Sequence, residues 1–182
     1  MGSWWQRLLG SKSASPVEQS LVYPSAVAPA SELDRAMMVR ALELAKRAAA
    51  MDEVPVGAVV FELATGRIVS EAHNRREIDH DPAGHAELIA MREAAKAIGD
   101  WRLDQHGLAV TLEPCPMCAG AIVNARLGRV VFGASDPKAG ACGSLMSLTT
   151  DERLNHRVTP IGGVMAAEAG EMLKAFFRRK RG

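Results

Sequence analysis

Cysteine, net charge and membrane-length apolar runs are all scarce in this chain of 182 residues, and each scarcity excludes something. Three cysteines are too few for a disulfide framework and point to a reducing, cytoplasmic compartment. No apolar run approaches the roughly 20 residues needed to span a bilayer, so no membrane association through a transmembrane helix is expected. A formal net charge of +1 means that no global field draws the chain to a polyanion. Any nucleic-acid partner must then be met by local clusters of charge. The first residues lack the long apolar segment of a secretory signal, and Gln6 stands where a myristoylation motif needs Ser or Thr. Arg7 and Lys12, with no acidic residue before Glu18, leave an organelle transit peptide open.

Apolar residues, by contrast, are plentiful: 48% of the chain is hydrophobic, enough for one domain with a real core. Residues 1–30 cluster Ser, Ala and Pro without a sustained helical period and read as a flexible extension, with Trp4, Trp5, Leu8 and Leu9 able to form a short amphipathic turn. The folded domain is expected over residues 31–182. Ser31 followed by Asp34 reads as a capping box, and Leu33, Met37, Ala41, Leu44 and Ala48 mark a helix face to about residue 50. Val56–Leu63 and Arg67–His73, around Ala64-Thr65-Gly66, predict an antiparallel hairpin. Leu88, Met91, Ala95 and Ile98 recur at helical intervals and predict a helix over 84–97. A strand at Leu108–Leu112 leads into a helix from about Cys115 through Ala125. Then come a strand at Val130–Ala134, a long loop, a short strand near Arg157–Ile161 and a terminal helix. Strands alternating with helices imply a layered α/β domain with helices over both sheet faces.

Two of these helix starts carry chemistry. His85-Ala86-Glu87 opens one and Pro114-Cys115-Pro116-Met117-Cys118 the other. One imidazole and two thiolates fill three of the four positions of a tetrahedral zinc ion and leave one for water, the mark of a catalytic site. Zinc lowers the pKa of such a water from near 16 toward roughly 7. A carboxylate two residues from the histidine ligand, Glu87, can stand beside that water without binding the metal and move protons for it. A lone C-x-x-C also fits a redox pair or half of a structural zinc site, and a lone histidine fits a cap or a buried side chain. Their joint occurrence with Glu87 and Pro114 selects the catalytic reading. The pattern H-x-E…P-C-x-x-C is recognised as the signature of zinc nucleobase deaminases.

Further segments sharpen the resemblance: Glu53-Val54-Pro55-Val56-Gly57-Ala58, His73-Asn74-Arg75, Thr111 through Ala121, Gly128 through Ala134, Gly143 through Met146, Asn155-His156-Arg157 and Phe176-Phe177-Arg178. From about Leu33 to Arg181 the chain resembles the bacterial tRNA-specific adenosine deaminase family (TadA), within the cytidine/deoxycytidylate deaminase superfamily. The resemblance implies zinc-dependent hydrolytic conversion of adenosine to inosine at the wobble position of a tRNA anticodon. It implies one Zn2+ per subunit on His85, Cys115 and Cys118, with Glu87 as proton shuttle. It also implies a three-layer α/β/α cytidine-deaminase-like fold with a mixed five-stranded sheet, and a homodimer with active sites near the interface.

By position, the resemblance gives Asn74 and the Ala86 backbone the task of holding the base, with Val56 and Leu112 as apolar walls. Asp136 and Lys138 match a loop that touches RNA backbone and ribose. An amide does offer both a donor and an acceptor to a base edge, although an asparagine after a strand also suits a turn. Phe177, Arg178, Lys180 and Arg181, with Phe176 and Arg179, put aromatics beside cations, which suits unpaired bases and phosphates. Leu173, Phe176 and Phe177 equally suit the buried stripe of the terminal helix, and at least one phenylalanine is expected in the core. Arg75-Arg76, Arg126 and Arg129 are further candidate cations, and Cys142 reads as a small packing residue. The rival readings are a deaminase of free nucleobases or nucleosides (guanine, cytosine or adenosine) and a non-catalytic RNA-binding module that keeps zinc for stability.

Overall fold

The computed structural model describes residues 29–181. The expectations for the first 28 residues, the amphipathic turn at Trp4–Leu9 included, lie outside the described residues. Helix α1 (Glu32–Ala50) is followed by strands β1 (Gly57–Glu62) and β2 (Ile68–His73), helix α2 (Ala86–Ile98), strand β3 (His106–Leu112) and helix α3 (Pro116–Asn124). Strand β4 (Arg129–Ala134), a short 3-10 turn at Leu148–Thr150 and helix α4 (Ala166–Arg181) complete the order. The sheet runs β2-β1-β3-β4; β1 is antiparallel to both neighbours, and β3 is parallel to β4. It is therefore a mixed sheet in which β2, β3 and β4 all point the same way.

Helices cover both faces. In β1, Ala58 and Val60 pack with Ala90 and Ala94 of α2 and Ile122 of α3, while Val59 and Phe61 pack with Met37, Met38, Ala41 and Leu44 of α1. Leu108 and Val110 of β3 face the α2/α3 side, and Ala109 faces α1. Burial on both faces explains why β1 and β3 read as apolar runs rather than as alternating strands. α1 lies almost on the sheet: a Cβ on Gly57 would stand 2.1 Å from the Ala41 carbonyl oxygen, so only glycine lets that strand begin there.

The sheet has four strands among the described residues, not the five that the resemblance implies. The expected strand near Arg157–Ile161 shrinks to one parallel bridge, Val131 with Ile161. Ile161 still hydrogen-bonds on both sides, its N–H donating to Val130 O and its carbonyl accepting from Phe132 N–H, both at 2.9 Å. The run leaves extended backbone at Gly163, φ +83°, where contact with β4 continues only as irregular bonds: Gly163 N–H to Gly133 O at 3.2 Å and Val164 N–H to Phe132 O at 3.1 Å.

The capping box forms as expected: the Asp34 N–H donates to Ser31 Oγ at 3.1 Å, and the Ser31 N–H donates to Asp34 Oδ2 at 2.7 Å. Its carboxylate has a second duty. Asp34 is fully buried and receives both arms of Arg129, at 2.7 and 2.5 Å, tying the start of α1 to the start of β4. Arg129 is thus committed to a structural ion pair and is not an available surface cation. Burial acts to raise the Asp34 pKa, but the hydrogen bonds from Arg129 and Ser31 outweigh it and hold the pKa below the usual 3.8. A folded-state pKa below the unfolded one stabilises the fold above about pH 4, and this contribution is lost as pH falls through the folded value. Arg129→Ala is expected to cost about 3 kcal/mol at pH 7 because it strands a buried carboxylate. Urea titrations of the two proteins check this, and their midpoints should converge as the pH drops below 3.8.

Candidate active site

Because β2, β3 and β4 run in one direction and β1 in the other, the C-terminal ends of three strands and the N-terminal end of the fourth meet at one edge of the sheet. Ligand sites in open α/β sheets lie at such an edge. A cleft of about 680 Å³ opens there, lined among others by Val54 and Val56 before β1, Asn74 after β2, and Leu112 and Glu113 at the end of β3. Ser135–Ala139 after β4 and Leu173 and Phe177 of α4 close it.

Two helices aim their N-termini into the cleft. His85 is the N-cap of α2 and Cys115 the N-cap of α3, so the helices begin two residues and one residue later than the 84 and 115 that the sequence suggested. Neither side chain caps its own helix. They turn toward each other instead: His85 Nδ1 lies 3.6 Å from Cys115 Sγ and 3.5 Å from Cys118 Sγ. The three ligand atoms all fall within 4.8 Å of one another. For a tetrahedral ion with metal–nitrogen near 2.0 Å and metal–sulfur near 2.3 Å, the N···S edge is about 3.5 Å. The donor set therefore fits one divalent ion without rearrangement.

The three groups are also electrostatically coupled. A hydrogen bond from Cys118, followed in effect by one from His85, lowers the Cys115 thiol to about 4 against the opposing effect of burial. Cys118 is pushed up because it donates that bond and is buried. His85 is raised, first by its contact with Cys115. Glu87, in the first turn of α2, is 4% exposed and lines the cleft, and burial is the main reason its pKa is raised. Burial without a cation partner is what a proton-carrying carboxyl group needs.

The remaining expected residues divide. Asn74, Val56, Leu112, Asp136, Lys138, Phe177 and Arg181 line the same cleft, and Ala86 is buried at the first position of α2. Phe176 is 5% exposed and forms core, whereas Phe177 is 43% exposed. Lys180 pairs with Asp52 and lines a neighbouring hollow with Met51, Ile78 and Phe176. Arg179 donates to the Ala49 carbonyl at 3.3 Å, and Arg178 is exposed. Arg75 is held by Asp79 at 2.8 Å, while Arg126 donates to the Asn155 carbonyl at 3.2 Å. Cys142 is buried, as a packing residue should be.

Sequence reasoning missed two buried acids, Glu53 and Glu113. Glu113, 2% exposed, accepts the N–H groups of Asp136, Cys142 and Ser144 at 2.9–3.0 Å and the Ser144 hydroxyl. Burial acts to raise its pKa, yet those bonds, the Ser144 hydroxyl foremost, leave it lowered. The loop after β4 is folded around this carboxylate so tightly that a Cβ on Gly140 would lie 2.4 Å from it. An acid directly after a strand buried along almost its whole length, just before Pro114, was the available signal.

A layered α/β fold whose helix N-termini present a histidine, two cysteines and a buried glutamate defines a metal-compatible deaminase. Comparison with known proteins agrees: residues 32–181 match the MafB19-like deaminase family model, and the chain belongs to that family. It is 49% identical over 148 residues to a tRNA-specific adenosine deaminase of Bacillus subtilis (strain 168), covering 81% of this chain and 91% of that protein. A protein of the same description from Haemophilus influenzae (strain ATCC 51907 / DSM 11121 / KW20 / Rd) is 48% identical over 151 residues, covering 83% and 87%. A solved structure from studies of A-to-I editing by tRNA:A34 deaminases at the wobble position superposes with a TM-score of 0.72. It shares 39% identity, and the match covers 76% of this chain and 99% of that one.

Glu113→Leu should free the loop it holds. Unsatisfied buried donors cost about 1–3 kcal/mol, so hydrogen exchange at Asp136, Cys142 and Ser144 is expected to accelerate roughly tenfold or more, with the core strands unaffected.

Proposed function

We propose that this protein is a zinc-dependent deaminase that converts adenosine to inosine at the wobble position of a tRNA anticodon. The observation that carries this reading is the joint placement of the His85/Cys115/Cys118 cluster, the buried Glu87 and a cleft mouth bearing uncommitted cations. Arg76, Lys138 and Arg181 reach that mouth from three different elements, and their side chains have no hydrogen-bond or ion-pair partner among the described residues. A free base carries no phosphate for them to meet. A nucleotide within a strand does.

In this reading His85, Cys115 and Cys118 hold Zn2+, whose charge the two thiolates cancel. Zinc supplies the Lewis acidity that makes water a nucleophile at neutral pH. Glu87 takes one proton from the attacking water and places it on the ring nitrogen beside the amino-bearing carbon, then takes the second from the added hydroxyl and delivers it to the departing amine. The carbon–nitrogen bond breaks, a carbon–oxygen bond replaces it, and ammonia leaves. Asn74 and the Ala86 backbone orient the base between the apolar walls Val56 and Leu112. Asp136 and Lys138 meet the ribose and backbone, and Phe177, Arg178 and Arg181 meet the flanking nucleotides, while Lys180 is held by Asp52. An unpaired anticodon base needs little unstacking to enter the cleft.

A homodimer suits the surface beside this cleft. Met117 at the start of α3 and Leu145 and Met146 in the Glu113-anchored loop expose 40%, 57% and 47% of their surface. No helix among the described residues is long and apolar enough to cross a membrane.

Zinc-loaded protein is expected to form inosine in an adenosine-containing anticodon stem-loop and to leave free adenosine almost untouched. Equal turnover of the nucleoside would overturn the RNA assignment. Glu87→Ala should keep metal and fold and lose turnover by three orders of magnitude or thereabouts, roughly the contribution of a general acid–base group. Cys115→Ala should lose metal and stability together, as measured by metal analysis and thermal unfolding. Leu145→Glu with Met146→Glu should sediment as a monomer where the parent protein sediments as a dimer.

A further inference from the structure

Asn74 lies against a residue that does not itself line the cleft. Glu53 is fully buried beneath Val54 and Val56, whose side chains do reach it. It accepts three hydrogen bonds, all at 2.8 Å: from Asn74 Nδ2 and from the N–H groups of Glu77 and Ile78. Every one of these partners is an N–H donor, and no lysine or arginine forms an ion pair with Glu53 among the described residues. A carboxyl group collecting only donors is an acceptor on both oxygens, so the Asn74 amide can dock on it through nitrogen alone. The reversed amide would set two oxygens face to face, 2.8 Å apart with no proton between them. The backbone gives Asn74 no freedom to avoid the choice, since its own N–H is bound to the Val56 carbonyl at 2.9 Å.

We infer that Glu53 is a specificity-determining positioning residue: it locks the Asn74 side chain in one orientation, so that the base meets a carbonyl oxygen and one remaining N–H in a fixed order. A purine edge also presents donors and acceptors in a fixed order, so an amide free to rotate would lose its discrimination. The same carboxylate fastens Glu77 and Ile78, next to Arg76 at the cleft mouth. One buried charge therefore sets both a base-facing group and a loop bearing a cation. This inference rests on the proposed reading of Asn74 as a base contact.

The test is a double-mutant cycle on zinc-loaded full-length protein with the anticodon stem-loop. Glu53→Gln lets the Asn74 amide dock either way and is expected to lower kcat/KM roughly tenfold or more while metal content is kept. In an Asn74→Ala background the same change should have less than about a twofold effect, because the glutamine oxygen still accepts the Glu77 and Ile78 N–H groups and only the contact with Asn74 is altered. An equal loss in both backgrounds would overturn the inference. The exchanged pair Glu53→Gln with Asn74→Asp restores one hydrogen bond with its polarity reversed. It should recover the thermal midpoint but not kcat/KM, and recovery of both would show that the contact is only structural. Nuclear magnetic resonance gives a reading independent of turnover. The Asn74 Nδ2 proton facing Glu53 should be shifted downfield and protected from solvent exchange, both effects should diminish in Glu53→Gln, and an unshifted, unprotected amide in the unmutated protein would overturn the lock. Absence of stem-loop turnover by the unmutated protein would instead count against the substrate assignment alone.

Discussion

An imidazole nitrogen standing 3.5–3.6 Å from two sulfurs is the constraint around which this molecule is arranged. Holding those atoms together requires that two helices begin at the same place. That in turn requires that the strands feeding them, β2 and β3, run parallel on either side of β1. The sheet polarity is secured by burial on both faces, which rewards only this layering of helices. His85 and Cys115 occupy N-cap positions at which a serine or aspartate would bind its own helix more favourably. The preference for a good cap is given up at the two positions where a side chain must face across the cleft.

Around that centre, buried acids do the work of ordering loops. Glu53 and Glu113 form no ion pair among the described residues; each gathers backbone N–H groups of a loop that would otherwise leave its donors unpaired. The two loops stand on opposite sides of the cleft, one carrying Asn74 and Arg76, the other Asp136 and Lys138. A carboxylate is suited to this because it accepts several bonds at once and has no donor to misplace. Irregular backbone thereby gains a rigidity that the hydrophobic core alone does not give it.

Charge is managed in a similar way. Most basic side chains are neutralised close by: Arg129 by Asp34, Arg75 by Asp79, Lys180 by Asp52. The net charge of +1 therefore hides an uneven distribution, in which Arg76, Lys138 and Arg181 are left free where the cleft opens. Local excess of this kind orients a polyanion without attracting it everywhere.

The sequence by itself determined the element order, the capping box at Ser31 and the candidate set His85, Glu87, Cys115 and Cys118, because periodicity, caps and ligand spacing are short-range properties. At least one phenylalanine of the terminal helix was expected in the core, and the structure chose Phe176 over its neighbour. Other features depend on contacts between residues far apart in the chain. Glu113 meets Ser144 across 31 residues, Glu53 meets Asn74 across 21, and Arg129 meets Asp34 across 95. No local pattern reveals that an acid will be buried among amides, or that an arginine read as a nucleic-acid contact will be spent on an aspartate. The fifth strand likewise fell to a single bridge, because the left-handed backbone at Gly163 ends the extended run beside β4. Local sequence chose the chemical groups; long-range packing chose which of them are free to act, since only the folded chain decides which charges meet a partner and which meet solvent.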